Sequence, residues 1–184
     1  MQTTLSKYTT KNLVLSALFT AIVAVCAQIS IQIGPVPFTL QVLAIFLASL
    51  ILPPKYAFLS LLVYDLLGAV GVPVFAGFSG GLSKFVGPTG GYLIAFPIAA
   101  FVTSYTNTKK PIKNEAANAS AALILGLVII YTLGFLYLSW AAHMTLKKAF
   151  AAGVAPFIIP DIIKLAIAYF LARAIKSRKV LNIA

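Results

Sequence analysis

Residues 156–175 read PFIIPDIIKLAIAYFLARAI, an apolar run interrupted by Asp161, Lys164 and, near its end, Arg173. A helix of about 20 residues rises about 30 Å, the thickness of a bilayer's hydrocarbon core, so the run is read as a membrane-spanning helix. An acid and a base one turn apart are costly to place in lipid, and such residues within a membrane mark ligand or ion sites by default. At i and i+3 the two share one helix face, one to two turns below the helix start, and that face has to point into the protein. The chain has only three acidic residues in 184, which makes the placement of one of them here more telling.

The rest of the chain has the same character. Apolar residues make up 61%, charged residues 9%, and the mean hydropathy is +1.01, far outside the soluble range. The reading is an all-α integral membrane protein in which residues 1–184 form a single membrane-spanning, substrate-binding domain. Pro and Gly punctuate six candidate transmembrane helices. The first covers residues 11–33 and ends at Gly34-Pro35-Val36-Pro37; the second, 38–52, is short and stops at Pro53-Pro54. The third covers 55–71, the fourth 91–105 with a kink expected at Pro97, the fifth 115–142 and the sixth 156–175. Between the third and fourth lies a Gly-rich stretch, 72–91, that cannot be a regular spanning helix.

Charge placement gives the orientation, because Lys and Arg concentrate in short cytoplasmic loops. With both termini cytoplasmic, Lys7, Lys11, Lys55, Lys109, Lys110, Lys113, Arg173, Lys176, Arg178 and Lys179 fall inside. Lys84, Lys147 and Lys148 fall outside, and Lys164 stays within the membrane. The net charge of +11 is therefore mostly a topology signal. It does not point to nucleic acid as a partner, since no basic face interleaved with aromatics sits on a soluble element.

Several chemistries lack their residues. One Cys and one His supply no zinc or other metal site, and Cys26 has no partner for a disulfide within the chain. No cofactor is indicated. No Gly-Lys dipeptide occurs, so there is no phosphate loop of the Gly-x-x-x-x-Gly-Lys-Ser/Thr type, and ATP hydrolysis by that route is excluded. The apolar stretch of the first helix is too long for a signal-peptide core, and no cleavable targeting segment is expected.

The Gly-rich stretch narrows the function. It carries Gly77, Gly80, Gly81, Gly87, Gly90 and Gly91. Irregular backbone beside a membrane persists only where protein buries it or water reaches it. The expectation is a loop folded over the outer mouth of the bundle, presenting main-chain donors and acceptors where Gly permits close approach.

The run Gly87-Pro88-Thr89-Gly90-Gly91-Tyr92-Leu93, with Gly80-Gly81 before it and Gly71-Val72-Pro73-Val74-Phe75-Ala76-Gly77 upstream, resembles the hallmark of BioY proteins. These are the biotin-specific S components of energy-coupling-factor (ECF) vitamin transporters. Pro35-Val36-Pro37-Phe38-Thr39-Leu40-Gln41 and Pro156-Phe157 followed by Asp161-Ile162-Ile163-Lys164 agree with the same family in order. Where the family is expected to have Gly before the Asp, this chain has Pro160, which removes a backbone donor but suits the first helical position. With Pro160 starting the helix, Asp161 would lie in its first turn, where the macrodipole favours an anion.

The resemblance implies a subunit in the bacterial cell (plasma) membrane that captures biotin at the outer side. Uptake would be energised by a separate transmembrane coupling protein and a pair of cytoplasmic ATPases. Asp161 would accept a ureido N–H while Lys164 donates to the ureido oxygen or balances the acid; Lys164 at the tail carboxylate is the exchanged assignment. Gln41, Ser79, Thr89 and Tyr92 are further candidate ligand contacts, with capping and backbone repair as the competing explanation. Ala17 and Ala21 form a small-xxx-small pair that would meet the coupling protein. An S component for another vitamin, or a stand-alone facilitated biotin transporter, are the alternatives within transport.

Two further features take part in the reading. Asp65, about 9 Å below the outer end of the third helix, lies close to the depth of Lys164, so an ion pair with it or a water-lined cavity is expected, and direct ligand contact less so. Lys147 and Lys148, with Leu146 and Phe150, suggest a short interfacial helix. A serine protease of the rhomboid type is the alternative from another class, on Gly77-Phe78-Ser79-Gly80 with His143 as base. Four residues in a Gly-rich loop carry it weakly, and the chain is read as no enzyme.

Overall fold

The computed structural model describes residues 2–178, with side chains described from Thr10 onward. Its elements in order are α1 (Gln2–Gln28), β1 (Ser30–Ile33), β2 (Val36–Thr39), α2 (Gln41–Ile51), α3 (Pro54–Ala69), α4 (Ser83–Val86), α5 (Gly90–Lys109), α6 (Glu115–Ala141), α7 (Leu146–Gly153), a 3-10 turn (Ala155–Phe157) and α8 (Ile158–Ser177). Among the described residues three helical runs are long and apolar enough to cross a bilayer. These are Thr10–Gln28, Glu115–Ala141 and the continuous stretch Leu146–Ser177 that joins α7, the 3-10 turn and α8. Of the basic residues used for orientation, Lys179 and the side chain of Lys7 lie outside the described residues.

The short helix α2 sits at the centre. Its 11 residues rise only about 16 Å. Gln41, Ala44, Ile45, Phe46, Ala48, Ser49, Leu50 and Ile51 are buried, because α1, α5 and α8 pack around it. A helix apolar on all sides is stable only when enclosed in this way. Outside it, α3 lies between α1 and α5, and α5 runs along α6.

Small and hydroxylic residues let these helices approach. A Cβ added at Gly91 would collide with Tyr137 and with the Leu133 carbonyl, and one at Gly134 with the Tyr92 ring, so both glycines set the α5–α6 spacing. Ser16 Oγ donates to the Tyr56 carbonyl at 2.9 Å and Thr20 Oγ1 to the Ser60 carbonyl at 2.8 Å, tying α1 to α3. Ser104 Oγ of α5 donates to the Leu52 carbonyl at the end of α2 at 2.6 Å.

The first helix is shorter at its C-terminal end than its apolar run suggests. It stops at Gln28, and residues 30–39 form an antiparallel hairpin with Ile33 opposite Val36. Ile29-Ser30-Ile31-Gln32-Ile33 alternates β-branched and polar residues with the period of a strand. The two-residue turn Gly34-Pro35 places Gly34 at φ +79°, the positive value a primed hairpin turn needs at its first central position. The Gly-rich stretch contains a tight turn bridged by Phe75 and Ser79, then the single helical turn α4. A short helix is present around Lys147 as α7, with the Thr145 side chain accepting from the Lys148 N–H and Leu146 and Phe150 exposed.

Candidate ligand cavity

The hairpin, the Gly-rich stretch and the N-terminal turns of α2, α5 and α8 enclose a cavity of about 610 Å³. Asp161, Lys164, Gln41, Ser79, Thr89 and Tyr92, far apart in sequence, all line it. Ala17 and Ala21 do not; they are exposed on α1.

Asp161 and Lys164 form its polar floor. The helix α8 begins at Ile158, two residues before Pro160, so Pro160 is its third residue and lacks only an N–H that the first turn would leave unpaired anyway. Asp161 remains in that first turn, favoured there by the helix dipole. Lys164 Nζ lies 2.7 Å from Asp161 Oδ1 and donates to the Thr39 carbonyl, also at 2.7 Å. The same ammonium sits 3.9 Å from the centre of the Phe38 ring, which stacks on Phe157. Tyr131 of α6 donates its hydroxyl to Asp161 Oδ2 at 2.8 Å. Asp161 and Lys164 are only 2% and 5% exposed, so both charges are compensated by each other and by neutral partners rather than by water. Spare lone pairs on the carboxylate and a third N–H on the ammonium are what a neutral polar ligand group can engage.

The other lining residues differ in what they have to offer. Thr89 is the N-cap of α5 yet makes no side-chain cap bond, and among the described residues its hydroxyl is not used to close the helix. Gln41 Nε2 donates to the Tyr64 hydroxyl at 2.7 Å, which in turn donates to the Val74 carbonyl at 3.1 Å; among the described residues Gln41 Oε1 accepts no hydrogen bond. Tyr92 donates its hydroxyl to the Gly153 carbonyl at 2.7 Å, holding α7 against α5 and presenting its ring to the cavity. Ser79 Oγ donates locally to the Ala76 carbonyl at 2.8 Å.

Two expectations need correction or fall away. Among the described residues Asp65 makes no pair with Lys164 and its Oδ1 has no partner; it is 6% exposed and lines a separate apolar groove between α3 and α5. Lys164 lines the cavity, whereas Asp65 faces α5 across the groove formed with Ile94, Pro97 and Ile98. His143 is exposed and does not line the cavity that holds Ser79, so the nucleophile and base of a serine protease are not brought together.

Sequence reading passed over Lys84, Tyr131 and the Thr39 carbonyl. Lys84, on the single turn α4, lines the cavity rather than merely marking an outer loop. Tyr131 was hidden in an unbroken apolar helix, where its hydroxyl was the only signal. The Thr39 contribution is main chain and leaves no trace in side-chain chemistry.

The BioY family model matches residues 1–180. The chain belongs to the BioY family. It is 49% identical over 166 residues to the probable biotin transporter BioY of Pyrococcus horikoshii, covering 90% of this chain and 96% of that one. To the biotin transporter BioY of Thermotoga maritima it is 44% identical over 170 residues, covering 92% and 98%. Among solved structures, the S-component for biotin from an ECF-type ABC transporter superposes with a TM-score of 0.83 at 29% identity over 92% of each chain. BioY membership accounts for the membrane location, and the transporter names of these relatives replace the protease reading.

Proposed function

We propose that this chain is the membrane subunit that binds biotin at the outer side and mediates its uptake, energised by a separate ATP-driven ECF module. The observation that carries the proposal is the Asp161–Lys164 pair at the floor of the 610 Å³ cavity, held by Tyr131 and the Thr39 carbonyl. A cavity of this size lies within the roughly 300–1,000 Å³ range of small-molecule sites. Biotin's ureido ring has two N–H donors and one carbonyl acceptor. Asp161 accepts from the ring and Lys164 donates to its oxygen, with Gln41 Oε1 and the Thr89 hydroxyl as further partners and Tyr92 as an apolar wall. Ser79 contributes at the loop. Lys84 on α4 then supplies the cation for the tail carboxylate, since Lys164 is already held by Asp161, Thr39 and Phe38.

In this reading residues 1–184 act as a single domain with six membrane passages, α1, α2 with its hairpin, α3, α5, α6 and α8. Both termini are cytoplasmic. Supporting this, Lys176 lies near enough to Lys110 and Glu115 for their charges to act on it, which gathers basic residues at the end away from the cavity. The Gly-rich stretch covers the outer mouth. Ala17 and Ala21, exposed on α1, form the contact with the transmembrane coupling protein, which works with a pair of cytoplasmic ATPases.

Titration calorimetry of the purified, detergent-solubilised chain with biotin, desthiobiotin, thiamine and riboflavin tests the assignment. Selective nanomolar binding of biotin is expected. Absence of biotin binding to folded protein would overturn it.

A further inference from the structure

The cavity wall made by residues 74–79 is irregular backbone and needs an external support. Phe75 and Ser79 exchange backbone hydrogen bonds at 2.9 and 3.2 Å, and Phe78 between them is held at φ +52°, a left-handed conformation costly for a bulky residue. Phe78 is also 73% exposed, so its side chain does not hold the turn down. Tyr64 of α3 donates to the Val74 carbonyl and Phe75 is buried against it, while both arms of the turn are joined from α1. Gln28, its last residue, accepts the Phe78 N–H on Oε1 at 2.8 Å, while Nε2 lies 3.1 Å from the Val74 carbonyl and 3.3 Å from the Phe75 carbonyl. Nε2 also reaches the Ala24 carbonyl within α1 at 3.0 Å. One amide thus grips both arms of the turn, and only this orientation of its oxygen and nitrogen satisfies them.

We propose that Gln28 is the positioning residue of this wall, so that its bonds to residues 74–78 set how long a bound ligand is retained. Phe75, Ala76, Gly77 and Ser79 line the cavity, but Gln28 does not, and it acts only through them. The proposal rests on the biotin reading for its ligand and on the hydrogen-bond geometry for its mechanism. Gln28 also lies four, seven and eleven residues beyond Ala24, Ala21 and Ala17, along one stripe of α1, so a displacement of that stripe is delivered to the wall through this amide.

The test uses the full chain in detergent with Q28L, which keeps the bulk and loses every hydrogen bond, and with Q28E. Q28M replaces Q28L if the latter does not survive purification. Hydrogen exchange without ligand should rise at least tenfold in the segment 74–79 of Q28L and stay unchanged in α8. Biotin dissociation, followed by chase with excess unlabelled biotin, should accelerate at least tenfold in Q28L with association within threefold of wild type. Q28E keeps the acceptor for the Phe78 N–H, and the carbonyls of Ala24, Val74 and Phe75 around its other oxygen favour the protonated, donating acid, so at pH 5 it should release biotin at least fivefold more slowly than Q28L; a merely space-filling role would leave the two alike. Wild-type exchange and dissociation in Q28L, or equal release from Q28E and Q28L at pH 5, would overturn the proposal. Should the wild type not bind biotin, the functional reading fails, while exchange at 74–79 still decides the role of Gln28.

Discussion

Replacing Asp161 by Ala separates what the buried pair does for stability from what it does for binding. The substitution leaves the Lys164 ammonium, 5% exposed, with only the Thr39 carbonyl and the Phe38 ring. Removing one partner of a buried ion pair costs about 3–5 kcal/mol, because the remaining charge has lost its compensation. In the double variant Asp161→Ala, Lys164→Met no charge remains, and at least about 2 kcal/mol of that loss should return. Binding behaves differently. Charge-assisted hydrogen bonds contribute about 1.5–3 kcal/mol each, so D161A should bind biotin at least tenfold more weakly and the double variant no better, at about 1.4 kcal/mol per decade. Thermal unfolding in detergent and biotin calorimetry on the same preparations read the two quantities. The reasoning is refuted if the double variant is no more stable than D161A, or if D161A holds biotin within threefold of wild type.

Other outcomes follow from particular contacts. K84A should weaken biotin binding about tenfold and bind the biotin methyl ester as well as wild type does, as calorimetry with both ligands would read; K147A should leave both affinities unchanged. Gly91→Val should lower the unfolding temperature or abolish expression, because its side chain would have to displace Tyr137 and the Leu133 carbonyl where α5 meets α6. A21W should leave biotin affinity within threefold of wild type while preventing co-purification with the coupling protein and its ATPases, since Ala21 is exposed on α1 and does not line the cavity.

The helices were legible because Pro and Gly break long apolar runs at the points where backbone hydrogen bonding has to change partners. The predicted start of the fifth helix at Glu115 agrees with α6, where Asn114 caps the first turn by accepting from the Ala117 N–H. The hairpin was not legible in the same way. Its apolar residues continue those of α1, and only five residues of alternation distinguish strand from helix. That Asp161 and Lys164 share one helix face was read from spacing alone. Thr39, 125 residues away from Lys164, was not, because a main-chain carbonyl carries no identity that a sequence displays. Asp65 shows the complementary limit. Depth can be counted along a helix, but facing depends on which neighbours pack, and those are set by the central position of α2.

The charges around the cavity have an electrical meaning. Of the described residues that line it, only Lys84, Asp161 and Lys164 belong to the charged residue types, and their formal charges sum to one positive. A ligand whose tail is a carboxylate brings that sum to zero. Moving one elementary charge through a potential of 100 mV involves about 2.3 kcal/mol. A loaded cavity without net charge exchanges none of that energy with the membrane, whereas the same anion held in a cavity lacking Lys84 would be driven back by an interior-negative potential. With Lys84 on the tail carboxylate, as proposed, the membrane voltage acts on the return of the empty, positively charged cavity and not on its loaded passage.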